Sequence, residues 1–260
     1  MSQIAGRRVL ITGGAHGMGR LMAERIAAEG GRAVVVDVDG EGVREVASSL
    51  PDAVAFQCDV TDRTSIAALR DAVDGIDILI NNAGVISTGA YLDIPAEADL
   101  RMLCVNAEGV HWIAKAFLPD LIASPEGHLV MMASVASIVG VPYQALYSAT
   151  KWFVAGLGES LRQELHVEGH RHVHVTIVHP SVVGTDFYAG GAQAPHLLPI
   201  LQPERVVDRI VDAIKRNRRY VREPLVVKTV PLLRALLPSR ATDAVSRMLG
   251  THRVVPREPR

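Results

Sequence analysis

Tyr147 and Lys151 stand four residues apart in Tyr147-Ser148-Ala149-Thr150-Lys151. On a helix that spacing puts both side chains on one face, side by side. A free phenol titrates at about pH 10 and is a poor base near neutrality, but an adjacent ammonium stabilises phenolate and lowers that value. The pair is a candidate proton donor and acceptor for a carbonyl/alcohol couple. Taken alone, Tyr-x-x-x-Lys describes many ordinary helix surfaces. Ser134, upstream at the end of an apolar run, is placed to hydrogen-bond the same substrate oxygen. Ser137 is its rival, and the position on the strand end favours Ser134.

A second constellation is Thr12-Gly13-Gly14-Ala15-His16-Gly17-Met18-Gly19. It follows an apolar run and opens a helical pattern, which is the context that gives a glycine turn meaning. Gly13 allows a tight turn, Gly17 and Gly19 let backbone approach a pyrophosphate and helix pack on strand, and the helix N-terminus offers free N–H groups to the anion. An ordinary strand–helix turn with spare glycines is the bland alternative, and the GxxxGxG spacing argues against it. Asp37 ends the next apolar run. An acid there accepts hydrogen bonds from adenosine ribose hydroxyls and repels a 2′-phosphate. The residues that follow, Val38 and Asp39, bring no cation. NAD is thus expected rather than NADP, and His16 is the one neighbour able to turn cationic and oppose that choice.

These residues need elements to position them. The first half alternates short β-branched runs with helical patterns, the sign of a parallel sheet with crossover helices. Strands are expected at residues 8–12, 33–37, 53–56, 76–80, 129–132 and 173–177. Helices are expected at 20–29, near 96–118, near 147–168 and at 204–216. The run 33–36 is continuously apolar, as suits a strand buried on both faces. No repeat or linker divides the 260 residues.

Composition narrows the class. Hydrophobic residues make up 48% and charged residues 21%, which excludes disordered and fibrous chains. Cys58 and Cys104 neither staple a secreted scaffold nor show the spacing of a metal knuckle. The glycine turn comes too early for a signal-peptide apolar region before it, and no apolar run approaches the ~20 residues that span a bilayer. A cytoplasmic location is expected.

With Asn81-Asn82-Ala83-Gly84, Asn106 and Pro180 through Thr185 added to these motifs, the sequence resembles the short-chain dehydrogenase/reductase family, in its subgroup of chains near 250 residues. The matching residues lie in family order over residues 8–186. The resemblance implies an α/β fold, a single doubly wound Rossmann domain with a parallel sheet of about seven strands. It implies a catalytic set of Asn106, Ser134, Tyr147 and Lys151. Ser134 would polarise the carbonyl and Tyr147 would move the proton. Asn106 would hold a water chain reaching Lys151. It also implies a cofactor set beyond Gly13, His16, Gly17, Met18, Gly19 and Asp37. Asp59 and Val60 would cradle the adenine, and Asn81, Ala83 and Gly84 would close over the ribose. Tyr147 and Lys151 would border the nicotinamide ribose, and Pro180, Val183 and Thr185 would lie at the carboxamide. Where the family has Pro-Gly this chain has Pro180-Ser181, and Ser tolerates positive φ less well than Gly.

Residues 185–203 read as a substrate lid, with Gly190 and Gly191 as hinges and Phe187, Tyr188, Leu197, Leu198, Ile200 and Leu201 as its apolar face. With Ile138, Val139, Val141 and Pro142 they suggest a hydrophobic secondary alcohol or ketone: steroid, retinoid, long-chain or aromatic. Simple packing of the loop is the plain alternative. An NADP-dependent 3-oxoacyl thioester-type reductase is the runner-up, opposed by Asp37. A non-catalytic, membrane-docked dinucleotide-binding protein comes third, opposed by the intact catalytic set.

The net charge of −1 is uneven. Residues 1–204 carry 13 Lys and Arg against 23 Asp and Glu, and residues 205–260 carry 14 against 5. The basic run Lys215–Arg222 is followed by an apolar stretch broken at Pro231 and Pro238, then a short helix from Ser239 to Gly250. The tail is similar to that of the retinol and hydroxysteroid dehydrogenase branch. Peripheral membrane contact is the less favoured role for it; neutralising the acidic body, or capping the substrate pocket and a subunit interface, is preferred. Nucleic acid is not expected, since Tyr220 is the only aromatic among the basic residues. His166, His170, His172 and His174 are read as edge histidines, with no metal. The family resemblance implies a homodimer or homotetramer built on the two long helices, with Trp112, Ile113, Phe117, Trp152, Phe153 and Leu157 as candidates for its face.

Overall fold

A computed structural model describes residues 3–187 and 199–248 of the chain. Seven strands form one parallel sheet: β1 (Arg8–Thr12), β2 (Arg32–Asp37), β3 (Val54–Gln57), β4 (Ile78–Asn81), β5 (His128–Met132), β6 (His174–Pro180) and β7 (Tyr220–Glu223). Their order is β3-β2-β1-β4-β5-β6-β7. The helices are α1 (Gly17–Ala28), α2 (Gly40–Ser48), α3 (Arg63–Ala72), α4 (Ala96–Leu103), α5 (Val110–Ala123), α6 (Ala145–Val167), α7 (Pro203–Lys215), α8 (Val230–Leu236) and α9 (Ser239–Met248).

A strand's period of two sorts its side chains onto the two faces. Val9, Ile11, Val35, Ile78 and Ile80 pack with Met22 and Ile26 of α1 and Val207 and Ile210 of α7. Leu10, Val34, Val36 and Leu79 pack on the other face with Ile113 and Phe117 of α5 and Val154 of α6. Both faces are covered, which is why the strands read as continuous apolar runs. The chain winds one way from β1 to β3 and the other way from β4 to β7. The crevice at the carboxyl ends of β1 and β4 is therefore the switch point, where such sheets bind ligands.

Four sequence expectations change. The basic run Lys215–Arg222 leads into strand β7 and overlaps it: Val221 and Glu223 turn inward while Tyr220 and Arg222 are half-exposed, and four residues are too few for that alternation to show beneath the charges. Pro231 does not break the tail but sits in the first turn of α8, where its missing N–H costs nothing. The helix expected to end near 118 runs through Pro119 to Ala123. It is joined to α4 by a π-helical turn, Cys104–Gly109. The candidates for an assembly face divide: Ile113 and Phe117 are fully buried in the core, whereas Trp152 and Phe153 are exposed.

Among the described residues, most ion pairs of the basic tail are internal to it. Arg205 and Arg209 face Glu223, and Arg216 and Arg218 face Asp212. Lys215 reaches the body at Glu29, 2.8 Å away. Leu232, Leu236 and Leu237 of the α8 region are exposed. Among the described residues no helix is long and apolar enough to cross a membrane, and no cluster of side chains suits a metal ion. His172 bonds the carbonyl of Ile122, and His174 faces Glu126. The expected end of the last helix at Gly250 lies outside the described residues, as do Tyr188, Gly190, Gly191, Leu197 and Leu198 of the expected lid.

Candidate active site

The carboxyl end of β1 runs straight into a turn that only glycine can make. Gly13 has φ +66°, and a Cβ there would lie 3.0 Å from the Cα of Ala83. A Cβ on Gly19 would sit 1.8 Å from the carbonyl oxygen of Gly13, so the first turn of α1 packs on the loop with no side chain between. Thr12 ties this loop to the end of β4: its hydroxyl oxygen accepts the N–H groups of Asn82 and Ala83, each at 3.0 Å. The Asn82 amide donates back to the carbonyls of Thr12 and Gly13. At the head of α1, His16 makes no side-chain cap and the first turn holds no acid. The first N–H groups of the helix are left for an anion.

Asp37, at the end of β2, closes the adenosine side. One carboxylate oxygen accepts the N–H of Ala15 and the other that of Asp39, both at 3.1 Å. His16 is drawn to Asp39, with Nε2 2.7 Å from Oδ2. The other oxygen of Asp39 accepts the N–H of Gly42 and caps α2. That backbone bond, then the His16 contact, holds the Asp39 carboxyl below the usual carboxylate range.

Across the crevice, Ser134 lies just beyond β5, at the start of a 3-10 turn (Val135–Ser137). Its hydroxyl oxygen accepts the N–H of Ala136 at 3.2 Å, which leaves its proton to donate elsewhere. Ser137 is turned away: its hydroxyl donates to the carbonyl of Ser134, and its oxygen lies 2.9 Å from Nδ1 of His179. Of the two serines, Ser134 is the one that borders the cavity. Tyr147 and Lys151 emerge from α6, both buried, with the ammonium 5.7 Å from the phenol ring centroid. Lys151 donates to the carbonyl of Met132 at 2.9 Å, and burial lowers its pKa to about 8. Phe187 stands 6.1 Å from the Tyr147 ring, and Met102, Ala136, Val141, Val85 and Ile86 pack around Tyr147.

These groups share one cavity of about 520 Å³. It gathers the glycine loop (Gly13, His16, Gly17, Met18, Gly19), Asp37, Ala83 and Gly84, then Ser134, Tyr147 and Lys151, and finally Pro180, Val183 and Thr185. Four sequence candidates lie outside its lining. The Asn81 amide donates to the carbonyl of Val110 at 2.7 Å and fastens α5 to the sheet. Asn82, one residue past the strand, borders the cavity instead. Asn81, two residues on from Leu79, shares the face of the sheet that packs on α5. Asn106 is fully buried and pairs both ways with the backbone of Val85, each bond 2.8 Å, with Thr150 at 3.3 Å. It holds the strand-four loop rather than facing the cavity. Asp59 accepts from the N–H and hydroxyl of Thr61, and Val60 is buried against Gly109. Ser181 is not in the left-handed region, so the missing glycine after Pro180 has no steric consequence. Leu201 of the expected lid pairs in a bridge with Val183, two residues before the lid begins.

The short chain dehydrogenase family model matches residues 7–194. Epidermal retinol dehydrogenase 2 of Homo sapiens is 34% identical over 257 residues, covering 95% of this chain and 83% of that protein. A short-chain dehydrogenase from Sphingobium yanoikuyae, solved in complex with NADPH, superposes with a TM-score of 0.77 at 28% identity over 94% of each chain. A short chain dehydrogenase/reductase from Burkholderia phymatum in complex with NAD gives a TM-score of 0.81 at 24% identity, covering 100% of this chain and 99% of that one.

Proposed function

The chain belongs to the short-chain dehydrogenase family, and we propose that it is an NAD(H)-dependent oxidoreductase acting on a hydrophobic secondary alcohol or ketone. The observation that carries this reading is the convergence of Ser134, Tyr147 and Lys151 on the cavity that the glycine loop opens. The residues present fit a dinucleotide: the backbone is bare at Gly13, where φ is positive and the space tight, and at Gly19, where a Cβ would collide, and the head of α1 is uncapped. The glycine loop with Met18 would hold the pyrophosphate, Asp37 the adenosine ribose, and Lys151, Pro180, Val183 and Thr185 the nicotinamide end. The bound cofactor would supply or take up the hydride.

The protein's own part is proton transfer and orientation. The Ser134 hydroxyl donates to the substrate oxygen and fixes it beside Tyr147. In reduction the Tyr147 hydroxyl gives its proton to that oxygen; in oxidation the phenolate takes it back. The Lys151 ammonium, buried beside the ring, stabilises the phenolate in a setting where little water screens it. NAD rather than NADP is supported by the Asp37 carboxylate in the lining and by His16, which is held by Asp39. The apolar packing around Tyr147 and the Phe187 ring support a lipophilic substrate. Exposed Trp152 and Phe153 on α6 support assembly through that helix. The test is turnover of steroid, retinoid and aromatic secondary alcohols with NAD by the native protein and by Tyr147→Phe. The reading expects turnover of at least one class, abolished in the variant while NADH still binds. Turnover that survives the substitution contradicts it.

A further inference from the structure

We infer that His179 is a positioning residue for Ser134, acting through Ser137 to hold the Ser134 peptide so that its hydroxyl stays presented to the cavity. This rests on the reading of Ser134 as the group that binds the substrate oxygen.

Ser134 lies beyond the last paired residue of β5, Met132, so no sheet hydrogen bond fixes it. Its carbonyl is held instead by three donors. The N–H of Ser137 donates at 2.9 Å, the hydroxyl of Ser137 donates as well, and Nδ1 of His179 lies at 3.3 Å. The same Nδ1 is 2.9 Å from the Ser137 oxygen. The Ser137 proton is committed to the Ser134 carbonyl, so the Ser137 oxygen must accept. His179 therefore carries its proton on Nδ1, and a directed chain runs from His179 to Ser137 to Ser134.

The surroundings keep that donor in place. His179 ends β6 immediately before Pro180, which borders the cavity, and it is almost fully buried. Burial lowers its pKa to about 4, so the ring is neutral at working pH. Facing it are Arg222, opposite in the β6–β7 register, which disfavours charge, and Glu159, which favours it. The Tyr220 ring is 6.0 Å away, with its hydroxyl donating to Glu159. An apolar residue would fill this space without leaving a buried polar ring to satisfy. Instead the ring aims its proton at the one peptide whose side chain faces the reacting oxygen.

Side-chain reach separates this role from simple packing. In His179→Asn the amide nitrogen falls where Nδ1 sits, and in His179→Gln it falls near Nε2. Turnover should drop about tenfold to a hundredfold in His179→Leu and His179→Gln, the usual cost of a small misplacement. It should stay near the native value in His179→Asn, with KM and the NADH dissociation constant unchanged in all three. In a Ser134→Ala background, His179→Leu should cause no further loss, because the residue it serves is gone. Losses that multiply, or a Gln variant as active as Asn, would overturn the proposal. If Ser134→Ala itself leaves turnover intact, the reading of Ser134 fails instead, and the two failures are told apart. A variant that does not fold leaves a direct measurement on the native protein without cofactor. Nitrogen-15 spectra should show His179 neutral and protonated on Nδ1 at pH 7, and the Nε2–H tautomer would overturn the chain of donors.

Discussion

The ammonium of Lys151 donates to the carbonyl of Met132 at 2.9 Å from inside the core. It is 4% exposed, and among the described residues no carboxylate offsets its burial. A charge held there without a counter-ion lowers the stability of the fold. Its pKa is lowered from 10.5 to about 8, so below pH 8 the folded protein holds a proton on a group that burial disfavours.

Lys151→Met should therefore raise the melting temperature at pH 7 while removing turnover. The shift corresponds to at most about 3 kcal/mol at 1.36 kcal/mol per unit, less about 1 for the lost hydrogen bond. From about pH 8 to 10.5 the native protein has shed the proton that its unfolded chain still binds, so its stability rises with pH and the variant's advantage shrinks. Calorimetry at pH 7 and pH 10 checks both halves. A variant less stable at pH 7 contradicts the argument.

Sensitivity to acid has a different source. Nε2 of His128 lies 2.7 Å from the Thr176 hydroxyl, which itself donates to the carbonyl of Arg218. The ring must therefore donate from Nε2, and its buried Nδ1 has no partner among the described residues. Burial, then the nearby His174, lowers its pKa to about 3. The unfolded chain binds this proton at about pH 6.5 and the folded one does not, so stability is lost as pH falls below 6.5. His128→Gln keeps the donor to Thr176 and removes the titration. Unfolding free energies from urea titrations between pH 7 and 4.5 should fall less steeply in this variant, by up to about 1.4 kcal/mol per pH unit at the acid end. Equal slopes would reject the assignment.

Thr12 accepts two backbone N–H groups from fully inside the core. Thr12→Val preserves shape and orphans both, at a cost of about 2–4 kcal/mol from two unsatisfied buried donors. Thr12→Ser keeps the acceptor and should lose much less. Because Thr12 links the glycine loop to Ala83, the Val variant should also weaken NADH binding. Chemical denaturation with fluorescence titration of NADH tests the pair, and equal stability of Val and Ser variants would dismiss the link.

The elements that position the site were legible because their signals are local. Strand β2 shows itself by an unbroken apolar run, the glycine loop by its GxxxGxG spacing between a strand and a helix, and the catalytic face of α6 by the spacing of Tyr147 and Lys151. What escaped depends on partners far along the chain. Asn81 and Asn82 are chemically identical in sequence; only the strand's end at Asn81 sends one to Val110 and the other to the cavity. Asn106 lies in the π turn and pairs with Val85 from 21 residues away, and no residue in that turn announces either. His179 is separated by 42 residues from the Ser137 hydroxyl that gives it meaning. Strand β7 is hidden because its inward residues include Glu223, a carboxylate that two arginines make tolerable.

Fluorescence titration of the purified protein with NADH and NADPH tests the central claim most directly. With Asp37 in the cavity lining and His16 held by Asp39, NADH should bind at least about tenfold more tightly, a difference of about 1.4 kcal/mol. Asp37→Ser should erase most of that difference. Equal binding, or a preference for NADPH, would contradict the account and bring the biosynthetic reductase reading forward in its place.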